Sequence, residues 1–466
     1  MIQRLYPTKT DMKGTITMKK ILAAALSLCL CCAALTACGD SDSSSKSESA
    51  SASAARTDEG TADTGDQKTD DGTDTPAVLD DSPSAQLLSQ YPVNDGAFDP
   101  TQGATENMLA RGILNEGDTS RLAAKLKYAV DNPKETTKIC FLGDSITQGS
   151  SADSSTKQYV NQYKTWWEEN VSFYVDVKNA GIGATDSYIG VHRAARDVLA
   201  DQPDIIFIEF INDLDNEFYG ACMDSLVRMC LAQENNPAVV IIEPTCEDGS
   251  SPQNVHLKVA QAYNIPMISY HDAIIPEIEA GNFEWSKLQA DVVHPNSAGH
   301  TIMAQLLTNF SAKIKDNLGS ENTEATPFDA ATEAPYGDKY AGAQICDRDS
   351  ELVETVDEGT FTDVTNFQQF TNGWGTKTGG TIKMKVTGKN IGLIYYMNVD
   401  GTYGSVDVKV DGESVKMINA DFTGGWGNYA KADEIYSSDE VAEHEIEITV
   451  IDDAKPNFQI LNMIVS

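Results

Sequence analysis

From residue 119 to residue 318, short apolar runs alternate with longer stretches of helical spacing, and this alternation restricts the possible fold more than any other feature. Strand candidates fall at 137–142, 171–178, 204–210, 238–243 and 265–270. Helical stretches fall between and after them, at 157–168, 186–200, 216–233, 253–263 and 297–316. An earlier helix is predicted over Ser120 to Val130, where Leu122, Leu126 and Ala129 share a face and Thr119 or Ser120 is placed to cap it. The run Ile205-Ile206-Phe207-Ile208 is continuously apolar, as expected of a strand covered on both faces. Repeated units of this kind predict an α/β fold: a doubly wound parallel sheet with helices on both sides.

With 466 residues the chain exceeds one ordinary domain. Beyond residue 340 the apolar period changes to two: Ile382, Met384, Val386; then Val406, Val408, Val410; then Ile446, Ile448, Val450. Asp400-Gly401 and Asp411-Gly412 supply turn signals between such runs. Residues 341–466 therefore read as a smaller all-β sandwich or jelly roll. Residues 319–340, rich in Thr, Glu, Ala, Pro and Gly, read as the linker to it.

The N-terminus is of a different kind. Met18-Lys19-Lys20 opens a short apolar core, Ile21 to Leu35, that closes Leu35-Thr36-Ala37-Cys38-Gly39. That is a secretory pattern, and residues 1–38 read as the signal segment, with Met18 the expected true start. The Leu-Thr-Ala-Cys ending resembles the lipobox of bacterial lipoproteins. The resemblance implies a diacylglycerol on Cys38 and attachment to the membrane at the cell surface through a lipid anchor. Residues 39–100 are dominated by Ser, Asp, Thr, Ala and Gly and read as a disordered spacer. The net charge is −36, from 34 basic and 70 acidic side chains, which argues against a nucleic-acid partner. Of nine cysteines, Cys140, Cys222, Cys230, Cys246 and Cys346 remain after the leader and Cys38 are set aside. An odd set without a CxxC pair indicates neither a disulfide framework nor a zinc site.

Gly143-Asp144-Ser145-Ile146-Thr147-Gln148-Gly149 follows the apolar run Ile139-Cys140-Phe141-Leu142. A serine in a Gly-flanked turn at the carboxyl end of a strand sits where open α/β sheets carry reactive groups. Such a serine needs a base, and the base needs an orienting carboxylate. Asp291-Val292-Val293-His294 supplies both, three residues apart. His294 read alone is equally a satisfied loop histidine. His192 and His300, on predicted helices, read as structural.

Four blocks, Gly143-Asp144-Ser145, Asn179-Ala180-Gly181-Ile182-Gly183, Ile211-Asn212-Asp213 and Asp291-Val292-Val293-His294, resemble in order and spacing those of the SGNH (GDSL-like) hydrolase family. The resemblance implies a flavodoxin-like hydrolase domain over 101–318. It makes Ser145 the nucleophile, His294 the general base and Asp291 the residue that orients it. The backbone N–H of Ser145 and the side chain of Asn212 become oxyanion donors. The sequence departs from the family in two places. Phe210 stands where a glycine is usual, two residues before Asn212, and the second-block donor is Gly183 or, by ungapped count, Ala184. Asn212-Asp213 also reads as a cap for the helix after it. No companion ligand makes a metal site of Asp291 and His294, and no cofactor is implied.

In the β-domain, Trp374, Trp426 and Tyr429 lie in Gly-rich segments. They either expose rings for stacking on sugars or plug the ends of the core. The whole order resembles bacterial acetyl-xylan and related hemicellulose esterases, which implies a cell-surface serine esterase removing acetyl groups from poly- or oligosaccharide. Three alternatives stay open. They are a lysophospholipase or thioesterase, an esterase acting on peptidoglycan or capsule, and a glycan-binding protein with a degenerate hydrolase domain.

Overall fold

In the computed structural model, residues 81–466 are described. The leader, Met18, Cys38 and most of the predicted spacer lie outside the described residues.

Six strands form the first sheet: β1 (Ile113–Asn115), β2 (Thr137–Gly143), β3 (Val175–Gly181), β4 (Ile205–Glu209), β5 (Ala238–Glu243) and β6 (Met267–Ser269). Their order is β1-β6-β5-β4-β2-β3. Strands β2 to β6 are parallel, in the flavodoxin-like order in which the chain first steps to one side of β2 and then crosses to the other. The sheet is not wholly parallel, because β1 pairs antiparallel with β6. Three residues are too few to show a period, so β1 leaves no trace in the sequence pattern. Strand β3 also starts later than predicted, because residues 171–174 turn the chain out of the helix Tyr159–Asn170, with the N–H groups of Val171 and Ser172 both on Trp167 O.

Both faces are covered, and side-chain alternation sorts the core. Ile139, Phe141, Ile205 and Phe207 point to one side, with Leu122, Leu126, Trp167 and Leu306 of the helices there. Cys140, Leu142, Ile206 and Ile208 point to the other, with Val191, Leu226 and Val259. Phe141 and Phe207 stack across neighbouring strands at 4.5 Å between ring centroids, an arrangement that adds to the burial of both rings.

The predicted spacer ends earlier than residue 100. Residues Pro83–Gln90 form a helix capped by Ser82, and Ser84 Oγ donates to Asp272 Oδ2 at 2.7 Å. Arg111, buried against Glu277 at 2.6 Å, donates to the carbonyls of Tyr91 and Pro92. Leu87 gives this segment apolar surface to bury, which the Ser- and Asp-rich stretch before it lacks.

The linker is a strap bound to the hydrolase domain. Arg121 Nε donates to Thr326 O at 2.9 Å, Arg228 donates to Thr332 O at 2.9 Å, and the Tyr336 N–H donates to Asp224 Oδ2 at 2.7 Å. It delivers Tyr340 into full burial beside Tyr188, His192 and Phe218.

The second domain has nine strands: β7 (Gln344–Cys346), β8 (Val353–Asp357), β9 (Asp363–Phe367), β10 (Phe370–Thr376), β11 (Thr381–Met397), β12 (Ser405–Val410), β13 (Glu413–Asn419), β14 (Tyr429–Val450) and β15 (Phe458–Val465). All are joined by antiparallel pairing in the order β13-β12-β14-β11-β15-β10-β9, with β7 on β15 and β8 on β11. Long β11 serves two layers: its first half takes β8 on the edge opposite β14, and its second half takes β15. The predicted Asp411-Gly412 turn joins β12 to β13, with both residues at positive φ as a two-residue hairpin loop requires.

The predicted sugar-facing role of Trp374 is corrected here. Its ring is 0% exposed in the sandwich core, and Nε1 donates to Thr355 Oγ1 at 3.0 Å. Trp374 alternates inward on β10, and Gly373 and Gly375 allow close packing of neighbouring strands. Trp426 differs, being 63% exposed and stacked on half-buried Tyr429 at 5.1 Å between centroids.

Candidate active site

Parallel strands β2, β3 and β4 end side by side, and each hands the chain to one block of the site. After β2, Asp144 caps a one-turn helix, Ser145–Gln148, by accepting from the Ile146 N–H at 3.0 Å. Gly143 is required there: a Cβ would lie 2.2 Å from Thr147 Oγ1 and 2.7 Å from the Glu209 carbonyl. The helix ends at Gly149, whose φ of 100° suits glycine.

The structure brings Ser145, His294 and Asp291 into one hydrogen-bonded chain. Ser145 Oγ lies 2.9 Å from His294 Nε2, and His294 Nδ1 lies 2.8 Å from Asp291 Oδ2. A carboxylate at Nδ1 fixes the proton there and leaves Nε2 as the acceptor facing the hydroxyl. The other oxygen of Asp291 accepts from the N–H groups of Val293 and His294, at 2.9 and 2.7 Å. Partial burial raises the Asp291 pKa, but these backbone donors and the imidazole outweigh it, and the carboxyl sits below its usual range. It therefore remains an anion while the imidazole takes up a proton.

The turn holding this pair is braced from outside. The Ala290 N–H donates to His294 O at 2.8 Å, and Trp285 Nε1 donates to Asp291 O at 2.8 Å. Pro295 precedes Asn296, which caps the long helix Ser297–Asp316 through the N–H groups of Ala298 and Gly299. Ser297 Oγ donates to Asp153 Oδ2 at 2.6 Å, tying the histidine end to the loop after the nucleophile. The arrangement can move a proton from Ser145 to His294 and hold the resulting cation against Asp291.

The remaining predicted donors are placed less directly. A Cβ built on Gly183 would lie 3.8 Å from Ser145 Cβ and 2.9 Å from Gln148 Oε1, so Gly183 is the turn residue set against the serine. Ala184 follows it at φ 60° in a tight turn closed by the Thr185 N–H on Ile182 O at 3.3 Å. Asn212 Nδ2 donates to Asp144 Oδ2 at 2.9 Å and to Thr185 O at 3.0 Å. Asn212 thus joins the first and second blocks, and both of its amide hydrogens have protein acceptors. Phe210, the departure from the family pattern, is buried where Gly190 makes room: a Cβ there would meet its ring at 2.4 Å. His300 and His192 are buried and structural. His300 Nε2 meets Ser150 O at 3.0 Å, and burial pushes His192 down to about 4.

Sequence reasoning missed the carboxyls beneath the serine. Glu209, fully buried, accepts from Thr147 Oγ1 at 2.6 Å, from the Thr147 N–H at 3.2 Å and from the Ile211 N–H at 3.0 Å. Burial pushes Glu209 up to about 7. Burial, with the charge of Glu209, also raises Asp144 well above the carboxylate range. A signal existed: Glu209 ends a strand otherwise wholly apolar, where a charged side chain cannot face water. Among the described residues no group of three or more His, Cys, Asp or Glu is arranged to hold a metal ion.

A left-handed Ala is strained relative to glycine by about 1–2 kcal/mol, partly offset by the greater freedom of an unfolded glycine chain. Ala184→Gly is therefore expected to raise stability by about 0.5–1 kcal/mol. Urea unfolding that shows equal or lower stability in this variant would refute the strain.

The GDSL-like lipase/acylhydrolase family model matches residues 141–302, spanning all four blocks. Among solved structures, a two-domain esterase (CEX) active on acetylated mannans is 30% identical with a TM-score of 0.69, covering 76% of this chain and 97% of that one. The same type of esterase co-crystallized with mannopentaose is 28% identical with a TM-score of 0.68, covering 76% and 96%. No curated protein was found to match. Both domains are included in these two likenesses. The chain belongs to the GDSL-like lipase/acylhydrolase family and is a carboxylic ester hydrolase.

Proposed function

We propose that the chain removes O-acetyl groups from carbohydrate, with acetylated mannan the leading substrate, through an acyl-enzyme on Ser145. The observation that carries this reading is the unbroken chain Ser145 Oγ–His294 Nε2, His294 Nδ1–Asp291 Oδ2 at the strand ends. Ser145 Oγ attacks the ester carbonyl as its proton passes to His294. The imidazolium then protonates the departing sugar oxygen. Water, giving its proton to His294, attacks the acyl-enzyme, and His294 returns that proton to Ser145 Oγ as the acyl C–O bond breaks and acetate leaves. The backbone around Ser145 and Gly183 faces the developing oxyanion. The Asn212 hydrogen now given to Thr185 O is the one available for sharing with it. Mannan is favoured over other acetylated glycans by the likeness to the mannan esterase, which extends over both domains.

Ser145→Ala is expected to lower kcat on an aryl acetate by several powers of ten, and Asp291→Asn by about 10⁴. Appreciable turnover by the serine variant would refute the mechanism. Preference for long acyl esters over acetyl would refute the substrate class.

The stacked Trp426–Tyr429 pair is proposed as a sugar-contacting surface, on the strength of its exposure and ring geometry. Trp426→Ala is expected to weaken retention of the full chain in mannan-containing affinity gels. Trp374→Ala is instead expected to lower stability by about 3–5 kcal/mol. Unchanged retention in the Trp426 variant would leave that surface without a sugar role.

The sequence around Cys38 supports a lipid tether that places the enzyme outside the cell. Metabolic labelling with a radioactive fatty acid is expected in the expressed wild type and not in Cys38→Ala. Equal labelling of both would refute the anchor.

A further inference from the structure

Behind the third block lies a fully buried chain of charges that the ester chemistry does not use. Asp213 Oδ2 lies 3.1 Å from His256 Nε2, and His256 Nδ1 lies 2.9 Å from Glu243 Oε2. The side chains are 0–1% exposed. Glu243 ends β5 and accepts from Ser251 Oγ, while His256 lies in the helix Gln253–Ala262. The second oxygen of Asp213 accepts from the Ser187 N–H at 2.8 Å, at the start of the helix Ser187–Asp197.

A neutral imidazole has one donor, yet both ring nitrogens face carboxylates, so this geometry calls for an imidazolium. A buried cluster of this kind contributes little net stability compared with apolar side chains of equal volume. Its position suggests another use. The loop after β4 and the turn after β3 are joined by two adjacent ties, Asn212 Nδ2 to Thr185 O and Ser187 N to Asp213 Oδ1. If Asn212 shares its hydrogen with an oxyanion, the first tie loosens. The second then holds Gly183 and Asn212 at their spacing, and it depends on a fixed Asp213 carboxylate.

We propose that the buried Asp213–His256–Glu243 chain is a positioning device for the oxyanion side of the site, locking the Asn212 loop to the Gly183–Ala184 turn while Asn212 serves the transition state. This rests on the esterase reading of Ser145. Burial opposes the charge on His256, but the charge of Glu243, the hydrogen bonds His256 donates to both carboxylates and the charge of Asp213 outweigh it, raising the group to about 10. Other groups face the chain. Asp186, raised to about 7 by burial and by Asp213, caps the helix Ser187–Asp197, and Asp144 feels Asp213 from the nucleophile turn. His271 feels Glu243 from beyond β5, and Asp215 accepts from the Val255 N–H beside His256. Because the His256 pKa is raised on folding, its contribution is complete below the unfolded value of roughly 6.5 and is lost as pH rises through about 10.

The test uses background-corrected aryl acetate kinetics on the wild type, Ser145→Ala, His256→Gln and Glu243→Gln, with circular dichroism alongside. His256→Gln is expected to lower kcat on the order of 10- to 100-fold with KM within about twofold, as a misplaced donor does. Wild-type kcat is expected to fall as pH rises through about 10 while the dichroism stays native. In Glu243→Gln, which touches no residue of the nucleophile turn, that fall is expected to begin at lower pH. This arm decides the question if His256→Gln does not fold. A flat wild-type profile in that range, or a Glu243→Gln profile equal to the wild type with only the melting temperature reduced, overturns the proposal. A wild type without turnover would overturn the esterase reading and this one together. Activity lost in Ser145→Ala but untouched in both relay variants overturns the positioning role alone.

Discussion

Strand β2 pairs with β3 along one edge and with β4 along the other, and the site is a consequence of that arrangement. The chain leaves β2 in one direction and returns to its opposite side, so no connection fills the space above the strand ends. The parallel registers Gly143 with Gly181 and Leu142 with Ile208 bring the three carboxyl ends level. Ser145, Gly183 and Asn212, far apart in sequence, are then separated by little more than the spacing between strands. The glycines at the strand ends follow from this closeness: side chains at 143 or 181 would strike the backbone or side chains of the neighbouring block.

The price of converging three strand ends is a crowd of buried carboxyls. Buried Asp144, Glu209 and Asp213, with half-buried Asp186 beside them, lie near the serine turn, and none has a lysine or arginine partner among the hydrogen bonds described for it. Backbone and side-chain donors take that place, together with His256. Desolvation pulls Asp144, Glu209 and Asp186 toward their neutral forms.

Periodicity exposed β2, β4 and β5 because fully covered strands leave unbroken apolar runs. It missed β1, whose three residues carry no period, and it extended the spacer through a helix held by Arg111 and Asp272, residues distant in sequence. The serine and the Asp291–His294 pair were legible because each is set by one local turn with its own glycine, proline or backbone bonds. Glu209, Glu243 and His256 were not recognised, and Asp213 was read only as part of the third block and a helix cap. An acidic side chain in sequence reads as solvated; the apolar runs that Glu209 and Glu243 end were the cue against this, while for Asp213 only the fold shows that water cannot reach it. Trp374 was ambiguous for the same reason: glycines beside a tryptophan fit an open loop and a tightly packed strand equally well.

The apolar cluster on one face of the first sheet does not stop at the hydrolase domain. Ile208, Val191 and Leu226 belong to one continuous body with Tyr340, Phe370, Ile394, Leu461 and Ile464 of the strap and the second domain. Tyr188 reaches across until its hydroxyl occupies the space a side chain at Gly392 would need. The β-domain is therefore the outer wall of the helix that follows the Gly183–Ala184 turn, and not a passenger on a tether. An enzyme trimmed at residue 318 would leave that helix with an uncovered greasy flank, so the catalytic unit in the physical sense includes the second domain.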